Sequence, residues 1–69
     1  MDAKQRVARN LQTLRCESGL TQEELAHRSK IHQTYLSGLE GGKRNPSVEV
    51  LERLCRALKA DISDLFRKS

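Results

Sequence analysis

With 69 residues, of which thirteen are Lys or Arg and nine Asp or Glu, the chain is one small domain of net charge +4. A chain this short buries only about 60% of its unfolded surface, so its stability margin is thin and dimerisation would add to it. One Tyr, one Phe and no Trp leave an aliphatic core, and no apolar run approaches a membrane span or a signal peptide. The basic excess suits a polyanionic partner without singling one out.

The first predicted helix runs from about Ala3 to Glu17. Asp2 is its N-cap, Gln5 completes a capping box, and Val7, Leu11 and Leu14 form an apolar stripe at steps of four and three. Gly19 stops it, because glycine takes the left-handed conformation at little cost. In the second helix Thr21 caps, Glu24 reaches back to it, and Leu20 staples onto Leu25; the helix ends near Ser29. A turn of Lys30 and Ile31 leads to His32, a weak cap, and a third helix covers Gln33 to Glu40. Gly42 closes it, while Gly38 inside it costs about 1 kcal/mol against Ala, which close backbone approach or flexibility has to offset. After the loop from Gly41 to Pro46, Ser47 caps a fourth helix to about Lys59, with Val48, Leu51, Leu54, Cys55 and Leu58 inward. Asp61 caps a last short helix carrying Ile62, Leu65 and Phe66. The expected fold is an all-α, compact five-helix unit spanning residues 1–69, with no repeats and no internal boundary.

Leu25, Ala26, Ile31, Leu36 and Leu39 are spaced so that the second and third helices cross and share one core. That leaves Gln33, Thr34 and Tyr35 facing outward at the start of the third helix, able to hydrogen-bond base edges and phosphates. A helix-turn-helix presenting polar side chains there suits the DNA major groove. Gln33 can pair bidentately with adenine N6 and N7, and Thr34 can bond a base or phosphate or pack its methyl on thymine. Lys43 and Arg44, beside that helix, suit phosphates. The last helix has more apolar surface than one small domain covers, so Ile62, Leu65 and Phe66 form the expected seam of a homodimer, with recognition helices about 34 Å apart.

Cys16, Cys55, His27 and His32 show no close-pair ligand spacing, so neither a metal nor another cofactor is expected. Cys55 reads as a small hydrophobe, and a reducing cytoplasm is the natural compartment. The sequence has no nucleophile paired with a base, no carboxylate pair in an evident cleft and no phosphate-cradling glycine loop, which argues against an enzyme.

Gly19-Leu20-Thr21-Gln22, the pair Leu25-Ala26, the run from Thr34 to Glu40, Lys43-Arg44-Asn45-Pro46-Ser47, and Leu65-Phe66 after Ala57-Leu58 make up a specific set of motifs. Together they resemble the phage-repressor and Cro type of helix-turn-helix family, and within it the small controller proteins of restriction–modification systems. The resemblance covers nearly the whole chain. It implies a five-helix domain that binds operator DNA as a homodimer and regulates transcription, without a small-molecule effector. By position it implies that Gln22 grips a phosphate and steadies the recognition helix, and that Gln33 and Thr34 are the main base readers. Tyr35, Ser37, Lys43, Arg44 and Asn45 would meet sugar-phosphate, and Arg15 and Glu40 would form an internal salt bridge. Two positions depart from the pattern: Lys30 stands where the family usually has Gly, and Gly41 where it often has Arg or Asn. The expected function is a cytoplasmic regulator reading a near-palindromic double-stranded operator, controller-like and autoregulatory. The alternative is a protein-interaction module, such as an antitoxin component built on the same fold, which a long extra segment for wrapping a partner would favour.

Overall fold

The computed structural model describes residues 2–68, and among them it shows four α-helices, one 3₁₀ turn and no strand. The helices are α1 (Ala3–Glu17), α2 (Gln22–Ser29), α3 (Gln33–Glu40) and α4 (Val48–Leu58), followed by the 3₁₀ turn Ile62–Leu65. The expectation of five helices is therefore corrected at the last element. Asp64 N–H donates to Asp61 O at 2.9 Å and Phe66 N–H to Ser63 O at 3.1 Å, an i to i+3 pattern that closes in one turn. Four residues are too few to repay the cost of nucleating an α-helix.

Side-chain caps begin most elements. Asp2 accepts from Gln5 N–H at 2.9 Å and Ser47 from Val50 N–H at 3.1 Å. Thr21 with Glu24, and Asp61 with Asp64, form complete reciprocal capping boxes. The hydrogen bonds from Thr21 hold the Glu24 carboxyl below its usual range, and those from Ser63 do the same for Asp61. Both contributions are present above the carboxylates' unfolded values and are lost as pH falls through the depressed ones.

Lys30 takes φ 59° and ψ 44° at the end of α2, where the chain must turn left-handed before α3. In that conformation Lys30 N–H donates to His27 O and Ile31 N–H to Ala26 O, so the last carbonyls of α2 are satisfied. A side chain in this region costs about 1–2 kcal/mol, and the favourable position of a cation at a helix C-terminus offsets a few tenths of that. Lys30→Gly is expected to stabilise the domain by about 0.5–1 kcal/mol, raising the melting temperature by about 2–6 °C. A melting curve that stays put or moves down would show that the turn carries no strain.

Leu11, Leu25, Leu36, Leu54 and Leu65 are fully enclosed, and Val7, Ala26, Leu39, Leu51 and Cys55 complete the core around them. Leu14, Leu20, Ile31, Tyr35, Val50, Leu58 and Ile62 pack on it from the outside. Two sequence expectations change here. Val48, in the first turn of α4, stands beyond the rim of the core and is 66% exposed, whereas Val50 packs against it. Leu65 is 0% exposed, held inside by the short turn and by Asn10 of α1, whose Nδ2 donates to Leu65 O at 2.9 Å and to Arg67 O at 2.8 Å. Its side chain is enclosed and unavailable to the expected seam, whereas Ile62 is half-buried and Phe66 exposed. Cys55 is buried and Cys16 exposed, and both are free thiols. Burial, with the charges of Asp61 and Asp64, pushes the Cys55 thiol up, so it stays protonated and inert at neutral pH.

Candidate nucleic-acid interface

α3 divides its residues cleanly. Leu36 and Leu39 face the core, while Gln33, Thr34 and Ser37 are exposed. Tyr35 is half-buried, its ring lying against the core's edge. His32 precedes the helix with an extended backbone but makes no side-chain cap bond, which corrects the expectation that it is a weak cap. Its imidazole remains exposed, so the first-turn N–H groups of α3 are left to water or to a ligand.

The orientation of α3 is held by a part-buried polar cluster. Glu40, at its last position, has a side chain only 3% exposed, and that of Arg15 is 13% exposed. Arg15 Nε donates to Glu40 Oε2 at 2.7 Å and Arg15 Nη2 to Glu40 Oε1 at 3.0 Å, a two-pronged ion pair between α1 and α3. Arg15 Nη1 donates to Leu20 O at 2.8 Å, and Gln22 Nε2 donates to Glu40 Oε1 at 3.1 Å. The hydrogen bond to Glu40 raises the pKa of Arg15, against the opposing effect of burial. One carboxylate thus joins α1, the start of α2 and the end of α3. Gln22 spends one amide hydrogen on this cluster and has a second to offer elsewhere.

The loop after α3 turns back on the helix. Gly42 takes φ +72°, Gly42 N–H donates to Leu39 O at 3.1 Å, and Lys43 N–H donates to Gly38 O at 2.9 Å. Lys43, Arg44 and Asn45 follow, all exposed. The Arg44 guanidinium carbon sits 5.8 Å from the centre of the Tyr35 ring, within cation–π range. The structure therefore gathers Gln33, Thr34, Ser37, Lys43, Arg44 and Asn45 as exposed groups on α3 and its following loop, with Tyr35 between core and surface. A separate open concavity of about 520 Å³ lies between α2 and α4, lined by Arg28, Ser29, Lys30, Arg53, Arg56 and Ala57, and adds to the basic field. Sequence reasoning missed the Asn10 tether, which no local pattern marks. It also missed the neighbour of Gly38, for which a glycine inside a helix was the one available signal.

Two short crossed helices on a shared core, a polar first turn on the second of them and a basic loop behind it define a helix-turn-helix protein. Residues 11–65 match the helix-turn-helix family, and the chain belongs to it, among DNA-binding transcription regulators and controller proteins. It is 52% identical over 58 residues to an HTH-type transcriptional regulator of Sinorhizobium fredii, covering 84% of this chain and 75% of that protein. It is 34% identical over 68 residues to the control protein C.SmaI of Serratia marcescens, covering 99% of this chain and 81% of the other. Its structure is similar to that of the restriction–modification controller protein C.AhdI of Aeromonas hydrophila, with a TM-score of 0.87 and 35% identity over 90% of this chain and 94% of that one.

Proposed function

We propose that this regulator binds a near-palindromic double-stranded operator as a homodimer, each subunit placing α3 in the major groove. The observation that carries the reading is the exposed first turn of α3, with Gln33 and Thr34 outward, anchored from behind by the Arg15–Glu40–Gln22 cluster. Gln33 and Thr34, with Tyr35 beside them, read base edges. Ser37, Lys43, Arg44, Asn45 and the second amide hydrogen of Gln22 hold sugar-phosphate. Phosphate contacts supply most of the affinity and make it fall steeply with salt. Ile62 and Phe66 form the seam between subunits. The protein works in the cytoplasm without a small-molecule effector, so operator occupancy follows its concentration, which suits a controller that regulates its own gene and its neighbours.

Selection of bound sites from random DNA, at two salt concentrations, tests this reading with two variants. Arg44→Ala is expected to lower affinity on all sequences and reduce the salt slope by about one. Gln33→Ala is expected to leave nonspecific binding nearly unchanged and flatten the preference at one position in each half-site, a loss of about 1–3 kcal/mol of discrimination. The assignment fails if Arg44→Ala changes the preferred sequence and Gln33→Ala does not.

A further inference from the structure

Gly38 sits in the middle of an eight-residue helix with ordinary right-handed geometry, so nothing in its backbone calls for glycine. The reason lies across the loop. A Cβ built on Gly38 would come within 2.9 Å of Arg44 Cγ, 3.4 Å of Arg44 Nε and 3.5 Å of Arg44 Cδ. The stem of Arg44 occupies the place where a side chain at position 38 would stand. Two other contacts fix the same arrangement: Lys43 N–H donates to Gly38 O at 2.9 Å, and the Arg44 guanidinium lies over the ring of Tyr35. Tyr35 and Gly38 are three apart on α3 and so share a face.

We infer that Gly38 is a positioning residue whose missing side chain seats Arg44 along α3, making a loop cation part of the recognition surface. An arginine free in solution samples many rotamers, all but a few of which must be given up on binding. Seating it beforehand against Gly38 and Tyr35 removes much of that loss. The seat also explains how a helix-weakening residue is tolerated on the element that most needs a defined orientation. The inference rests on the DNA-binding reading above, with Arg44 as a contact residue.

A methyl at position 38 meets only a flexible side chain, so the fold accepts Gly38→Ala while Arg44 is displaced. Gly38→Ala is therefore expected to raise the melting temperature by about 4 °C, through better helix propensity, and to weaken operator binding about tenfold. In an Arg44→Ala background the same change is expected to alter binding less than twofold, since no arm is left to displace. Tyr35 is the chain's one tyrosine, so ring-current shifts on the Arg44 side-chain protons, read by NMR without DNA, report the seat directly. These shifts are expected to collapse in Gly38→Ala. The inference is overturned if Gly38→Ala binds like wild type, if it weakens binding equally with and without Arg44, or if the ring-current shifts persist. Wild-type binding in the same assay separates the two ideas: its absence on every DNA tested would sink the DNA-binding reading, while the ring-current shifts would still report on the seat.

Discussion

Glu40→Ala is expected to melt far below the wild type and to leave a large unfolded fraction at room temperature. The carboxylate it removes accepts from Arg15 Nε, Arg15 Nη2 and Gln22 Nε2 in a site where only 3% of the Glu40 side chain reaches solvent. Without it, the Arg15 guanidinium stays mostly enclosed with Leu20 O as its remaining partner. Breaking a buried pair by removing one member costs about 3–5 kcal/mol, because the other charge is left uncompensated. A domain of this length has about 3–10 kcal/mol in total, so the loss is a large share of its stability. Thermal and urea unfolding followed by circular dichroism would measure it, and a melting temperature equal to the wild type's would reject the structural role. The combined variant Arg15→Met with Glu40→Leu separates the charge from the packing. Replacing both partners by apolar groups of similar size is often neutral, so the double variant is expected to melt well above Glu40→Ala.

If the proposed homodimer is seamed at Phe66, Phe66→Asp is expected to yield a monomer and to weaken operator binding by roughly a hundredfold or more, because the two half-site contacts are no longer linked. Phe66 is 44% exposed and, with Val48, is one of the two large apolar side chains that the described residues leave in solvent. It also borders a small cleft lined by Ala3, Lys4, Val7, Asn45, Pro46 and Leu51, which the proposed seam would fill with an apolar group from a second copy. A symmetric seam at this position would bring the two Phe66 side chains close together, so two aspartates there would add repulsion to lost burial. The fold itself should survive, since Phe66 is outside the enclosed core that holds Leu65. Sedimentation equilibrium and a gel shift on a two-half-site operator would read the effect. A variant that still sediments as a dimer moves the seam away from Phe66.

What could be read from the amino-acid order was whatever depends on residues three or four apart. Thr21 with Glu24, and the single caps Ser47 and Asp61, mark element starts, because a cap hydrogen bond spans one turn. The stripes through Val7 and Leu11, Leu36 and Leu39, and Leu51, Leu54 and Cys55 mark buried faces, because a helix repeats every 3.6 residues. The exposed first turn of α3 follows from the same arithmetic, since Gln33 and Thr34 are what remains once the core face is taken. Resemblance to the helix-turn-helix family added the pairing of Arg15 with Glu40, which lie 25 positions apart.

The tertiary structure alone decided what depends on distant parts of the chain meeting. Val48 has helical spacing with Leu51 yet stands in solvent, because periodicity gives a direction around the helix and not how far along it the core extends. Leu65 is enclosed and Phe66 exposed because Asn10, more than fifty positions earlier, grips the carbonyls of Leu65 and Arg67. Gln22 bonds Glu40 across 18 positions, and Arg44 fills the gap above Gly38 and Tyr35 because the loop folds back onto α3. Local hydrogen bonding and helical period write the elements into the sequence; which side chain ends up covered, paired or seated is settled only when the elements pack.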